Sequence, residues 1–154
     1  MSENQVYMFD FETSYNQFYI VGDRMDDAPN AGDENDDERL IVGKNALTVI
    51  TESYGHIRGE IQILSKERTD LKLDDFDHIV EGGWVNESGK LELLNCPNSD
   101  VALSVKLTAG KYKVRIYTSG VEEDMEDDFE STDRYVIEVW PSTDLKLRVI
   151  KQIK

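Results

Sequence analysis

Residues 101–119 read VALSVKLTAGKYKVRIYTS. In the first half Val101, Leu103, Val105 and Leu107 alternate with small or polar residues; in the second, Tyr112, Val114 and Ile116 alternate with Lys113 and Arg115. A period of two sends successive side chains to opposite faces of a strand, whereas a helix repeats its apolar face every 3.6 residues. Between the halves, Ala109-Gly110-Lys111 supplies a glycine where the chain has to turn. The stretch reads as two strands, each with one apolar and one wet face.

The same period recurs in both directions. Tyr7, Phe9 and Phe11 alternate with Met8, Asp10 and Glu12, and a second run around Phe18 and Ile20 ends at Gly22. Residues 40–42 and then Leu47, Val49 and Thr51 flank a Gly43-Lys44-Asn45 turn; Ile57, Gly59, Ile61 and Ile63 make a further strand. Trp84-Val85 and Leu91, Leu93, Leu94 read as a hairpin around Asn86-Glu87-Ser88-Gly89. Tyr135, Ile137 and Val139 form a strand closed by Trp140-Pro141, and Leu145, Leu147 and Val149 are placed for a last one. Residues 70–80 are ambiguous: Leu73, Phe76, Ile79 and Val80 fit helical spacing, and the stretch from His78 fits a strand equally well. Many short strands broken by turn signals predict an all-β, mainly β fold. The expected architecture is an antiparallel β-sandwich or flattened barrel with at most one short helix. Its expected core holds Phe9, Phe18, Ile61, Leu103, Val105, Tyr112, Val114, Ile137 and Val139. A chain of 154 residues is expected to form one domain over 1–154.

Charge departs most from the ordinary. There are 32 acids against 17 bases, a net charge of −15. Residues 22–38 hold eight acids and one arginine, and residues 121–133 hold eight acids and no base, so half the negative charge sits in a fifth of the chain. Such self-repelling runs read as solvent-facing loops. A protein this negative repels nucleic acid and attracts basic partners. One cysteine, Cys96, permits no intrachain disulfide and suits a reducing compartment. A signal peptide is not expected, and the longest apolar run, residues 18–21, is far short of the ~20 residues that cross a bilayer. A cytoplasmic location and no membrane insertion are therefore expected.

The clustered carboxylates do not make a metal site. Asp33-Glu34-Asn35-Asp36-Asp37 begins like a calcium loop, but Glu38 stands where the loop needs glycine and Lys44 where it needs a bidentate glutamate. Started from Asp124, the second run puts Phe129 and Tyr135 at those places. His56, His78 and Cys96 are isolated from one another, without transition-metal spacing. Nothing flanking Cys96 activates it as a nucleophile, and no nucleophile elbow or phosphate-cradling glycine loop occurs. No catalytic residue, metal or cofactor is expected, and the chain reads as a binding protein rather than an enzyme.

Three short signatures occur in order: Ser14-Tyr15-Asn16-Gln17-Phe18-Tyr19-Ile20, Leu107-Thr108-Ala109-Gly110-Lys111-Tyr112-Lys113-Val114, and Asp133-Arg134-Tyr135-Val136-Ile137. This arrangement resembles the bacterial competence protein J family, small acidic proteins that bind and inhibit a DNA-entry nuclease. The resemblance implies a β fold and an inhibitory role; its residues are structural and carry no functional position across. The leading expectation is a binding or inhibitory protein whose acidic loops engage a basic protein, a nuclease being the natural partner. The expected contact residues are Asp33, Glu34, Asp36, Asp37, Glu122, Glu123, Asp124, Glu126, Asp127 and Asp128. The alternatives are a carbohydrate- or calcium-assisted ligand-binding sandwich and a structural accessory protein.

Overall fold

A computed structural model of the chain describes residues 4–22, 38–43, 46–52, 55–96, 98–121 and 133–153. Eleven strands follow one another: β1 (Gln5–Glu12), β2 (Gln17–Val21), β3 (Leu40–Val42), β4 (Ala46–Ile50), β5 (His56–Ile63), β6 (His78–Asn86), β7 (Lys90–Leu94), β8 (Val101–Lys106), β9 (Gly110–Ser119), β10 (Arg134–Pro141) and β11 (Arg148–Lys151). They form two facing sheets, one of six strands in the order β1-β5-β10-β9-β6-β11 and one of five in the order β3-β4-β2-β7-β8. The fold is all-β and an open sandwich. The larger sheet is mixed rather than purely antiparallel, because β10 runs parallel to β5, Tyr135 opposite Gly59 and Val139 opposite Ile63.

The inward faces are the apolar halves of the alternating runs. Phe9, Ile57, Ile61, Val80, Trp84, Tyr112, Val114, Ile116, Tyr135, Ile137 and Val139 from the larger sheet meet Phe18, Ile20, Leu47, Val49, Leu91 and Leu93 from the smaller one. Eight of the nine expected core residues are buried; the exception is Leu103, which is half-buried against the core. It sits on β8, an outermost strand, where one flank lacks a neighbour. The ambiguous segment resolves into a 3-10 turn at Leu73–Asp75 followed directly by β6.

The expected hairpin at residues 84–94 is instead a crossing between sheets, since β6 and β7 belong to different ones. The chain from β8 to β9 crosses beside it. Asn86 joins the two crossings: its side-chain oxygen accepts from the N–H groups of Ser88 and Gly89, and its amide donates to the Leu107 carbonyl at 3.0 Å. Gly89 occupies a left-handed conformation (φ +85°) that a side chain would strain, and its carbonyl accepts from the Leu107 N–H.

On β6, β9 and β10 of the larger sheet the outward face is not wet. Glu81, Lys113, Arg115, Tyr117, Glu138 and Trp140 all point away from the core and are nevertheless buried. Arg115 reaches Glu81 at 2.9 Å, Glu67 at 3.0 Å and Glu138 at 3.5 Å, and stacks over Trp140 with 4.7 Å between its guanidinium carbon and the ring centre. The segments on either side of the 3-10 turn and of Asp144 supply the cover. The Arg68 carbonyl accepts from Arg115, Phe76 packs on Tyr117 at 4.7 Å, and Lys113 donates to the Lys146 carbonyl.

Candidate functional site

All ten expected contact residues (Asp33, Glu34, Asp36, Asp37, Glu122, Glu123, Asp124, Glu126, Asp127 and Asp128) lie outside the described residues. The residues that border the two acidic stretches are described, and they converge. His78, the first residue of β6, donates from Nε2 to the carbonyl of Glu38, at the end of the first stretch, at 2.8 Å. Its neighbour Asp77 accepts from the N–H of Val121, at the start of the second stretch, at 3.0 Å, and its own N–H donates to Thr118. On the far side Arg39 pairs with Glu52 at 2.5 Å, the Glu52 N–H donates to the Tyr135 hydroxyl at 2.9 Å, and that hydroxyl donates to the carboxylate of Asp133, at the end of the second stretch.

Three of the four borders thus meet at one end of the sandwich. The fourth does not. Gly22 abuts Ser88 and Asn86, at the opposite end of β6 from His78, about 26 Å away at the rise of a strand. Both borders of the second acidic stretch therefore sit at the His78 end, whereas the first stretch has one border, Glu38, at that end and the other, Gly22, at the opposite end.

Buried hydrogen bonds fix this end. Tyr135 and Asp133 are fully buried; burial, with the Asp133 charge beside it, holds the Tyr135 hydroxyl well above the usual phenol range, so it stays a donor. His78 is fully buried too, and Nδ1 accepts from the N–H of Ile153 at 3.1 Å. With Nδ1 accepting and Nε2 donating, only the neutral ring satisfies both partners. Burial, the larger effect, and the positive charge of Arg39 both lower its pKa, against the hydrogen bond to Glu38, which raises it.

A pH dependence follows. Below the ordinary histidine pKa of about 6.5 the unfolded chain binds a proton that the folded His78 resists, so its contribution is complete above that pH and lost as pH falls towards the lowered folded value. Wild type is expected to lose up to about 1.4 kcal/mol per pH unit relative to His78→Gln in that window. Urea unfolding of both proteins at pH 7.5 and 5.5 measures it; parallel losses would refute the assignment.

The remaining chemistry-bearing side chains are tied up structurally. Tyr19 donates to the Cys96 sulfur at 3.2 Å, and Gln17 donates to both; burial pushes the Tyr19 phenol up to about 12. His56 lies at the surface and pairs with Asp10. A cleft of about 340 Å³ lined by Arg68, Leu71, Phe76, Tyr117 and Glu138 opens beside the buried charges. Within it the Glu138 carboxylate accepts from Tyr117 at 2.5 Å and from Arg68 at 2.6 Å, and Asp70 and Asp75 also line the cleft. Among the described residues no group of three or more His, Cys, Asp or Glu is arranged to hold a metal ion. No helix among them is long and apolar enough to cross a membrane.

No family model matches the chain, and no curated protein does. Solved structures match it closely in shape. ComJ from Bacillus subtilis, inhibitor of the DNA degrading activity of NucA, superposes with a TM-score of 0.68 at 16% identity, over 92% of this chain and 100% of that one. The product of crocagin biosynthetic gene J gives 0.58, also at 16% identity, over 92% of this chain and 99% of the other. Across nearly its whole length, the chain has the fold of these two proteins.

Proposed function

We propose that this chain is an inhibitory binding protein, that its target is a nuclease, and that the acidic stretches at 22–38 and 121–133 form the contact surface. The convergence of three of their four borders carries the reading: Glu38 and Val121 are held by His78 and Asp77, and Asp133 by Tyr135 at the same end. The likeness to an inhibitor of a DNA-degrading enzyme supports the choice of target. A nuclease cleft is built to hold phosphates, and carboxylates can enter it as the phosphates of DNA do. The surface would be assembled from two runs of eight acids each, whose mutual repulsion a basic partner relieves. In this reading the protein is no enzyme, takes no cofactor and acts in the cytoplasm.

Replacing Asp33, Asp36, Asp37, Glu126, Asp127 and Asp128 with Asn or Gln is expected to leave folding intact. Association with the nuclease should slow by about 10–100-fold at low salt and lose most of its salt dependence, because charge steering acts on the on-rate and is screened by ions. Inhibition of NucA by wild type and variant at two ionic strengths tests this. Equal inhibition by both would show that the acids serve solubility alone. If wild type inhibits no nuclease, the ligand-binding alternative moves ahead.

A further inference from the structure

A sandwich of two open sheets has four outermost strands, and each exposes unpaired backbone donors and acceptors that another chain can use. Three are blunted here. β3 is only three residues long. β11 has four, with a register irregularity between Val149 and Lys151 and a base at each end. β8 pairs with a shifted register at Leu93 and Leu94 and ends on Lys106.

β1 is different. It runs for eight residues in unbroken register with β5, from Gln5 opposite Ile63 to Glu12 opposite His56. Its sequence, QVYMFDFE, holds no lysine, arginine or proline, the residues that usually guard such an edge. Among the described residues, the one hydrogen bond to the backbone of its free side comes from Asn95 to the carbonyl of Glu12, at the very end. Val6 and Met8 point outward and are 56% and 71% exposed, while Tyr7, Phe9 and Phe11 face the core. Beyond them on the same outward face stand Asp10, which also pairs with His56 of β5, and Glu12, both exposed.

We infer that β1 is a docking edge that takes up an extended segment of another protein as an additional strand of the larger sheet. The ladder requires a strand, and the side chains specify its character: apolar residues beside Val6 and Met8, lysine or arginine beside Asp10 and Glu12. A second copy of this chain is a poor occupant, since each carries a net charge of −15 and the copies repel. The same field draws in a cationic strand. β1 is separated from β6 by β5, β10 and β9 in the larger sheet, although Phe9 falls in the same row as Tyr135, Thr118 and His78, and the inference does not depend on the nuclease reading.

The full-length chain, labelled with nitrogen-15, is titrated with the synthetic peptide Lys-Thr-Lys-Thr-Val-Thr-Val-Thr, whose outward residues match β1 when it runs antiparallel. Expected are saturable amide shifts and slowed hydrogen exchange centred on Gln5–Glu12. Val6→Lys and Met8→Lys, both on the exposed face, should each weaken binding at least about tenfold, as should glutamate in place of the peptide's lysines, with the rest of the spectrum unchanged. Absence of saturation, shifts centred elsewhere, or equal binding by the glutamate peptide would overturn the inference. So would a dimer in sedimentation that Val6→Lys dissolves, for then the occupant is a second copy.

Discussion

Replacing Arg115 with leucine is expected to destabilise the protein by about 3–5 kcal/mol, the cost of stranding buried charge. The guanidinium is 1% exposed and is held by two carboxylates, Glu81 and Glu138, that are themselves 3% and 2% exposed. Leucine matches the stem and keeps some of the contact with Trp140, but it removes the donors facing Glu81, Glu138, Glu67 and the Arg68 carbonyl. Lys113, 3.4 Å from Glu81, and Arg68, 2.6 Å from Glu138, remain and do not compensate for the missing charge. Arg115→Lys restores charge without the fork and should recover only part of the loss. In the double variant Arg115→Leu/Glu138→Gln the two effects should fall well short of their sum, since each removes a partner of the other. Urea unfolding at pH 7 provides all these values. A loss under about 1 kcal/mol for Arg115→Leu would mean that water replaces the guanidinium.

Gly59→Ala is the second large expected effect. Gly59 lies in the middle of β5, with Phe9 of β1 on one side and Tyr135 of β10 on the other, all three on the core face. A Cβ there would stand 1.9 Å from the Tyr135 carbonyl oxygen and 2.8 Å from the Phe9 ring. The first obstacle is backbone and cannot rotate away, so β5 and β10 would have to part where they run parallel. The cost should lie at the upper end of overpacking penalties, about 3 kcal/mol, which lowers the melting temperature by roughly 6–12 °C for a chain of this size. Gly55→Ala is the control, because a Cβ there meets nothing within 4 Å. Thermal unfolding of the two variants gives the comparison; similar melting temperatures would remove the steric argument.

Period-two alternation made most strands legible, because each has one face on a shared core. What escaped it has identifiable causes. Lys113 and Arg115 read as a wet face, yet that face is buried, since charges that pair across neighbouring strands can be covered like apolar residues. Alternation reports that two faces differ, not which is dry. The turn at residues 86–89 looked like a hairpin because turn residues do not reveal whether the next strand joins the same sheet; Asn86 and the facing chain at Leu107 decide that. The parallel pairing of β5 and β10 has no local signature at all. For the candidate site, composition alone marked the acidic stretches. The convergence of their borders depends on Asp77 and His78, and one buried neutral histidine among polar neighbours carries no pattern to read.

The pairing of β5 with β10 also bears on how the chain folds. Gly59 and Tyr135 are partners across about half the sequence, and no earlier strand takes the place of β10 beside β5. During synthesis the larger sheet therefore cannot close around β5 until β10 has left the ribosome, and the first half of the chain waits with one side of β5 unpaired. Bringing such distant segments together is entropically slow, which places folding in the millisecond-to-second range typical of β-sandwiches. Through that interval the nascent chain carries a surplus of negative charge, and like charges hold incomplete copies on neighbouring ribosomes apart.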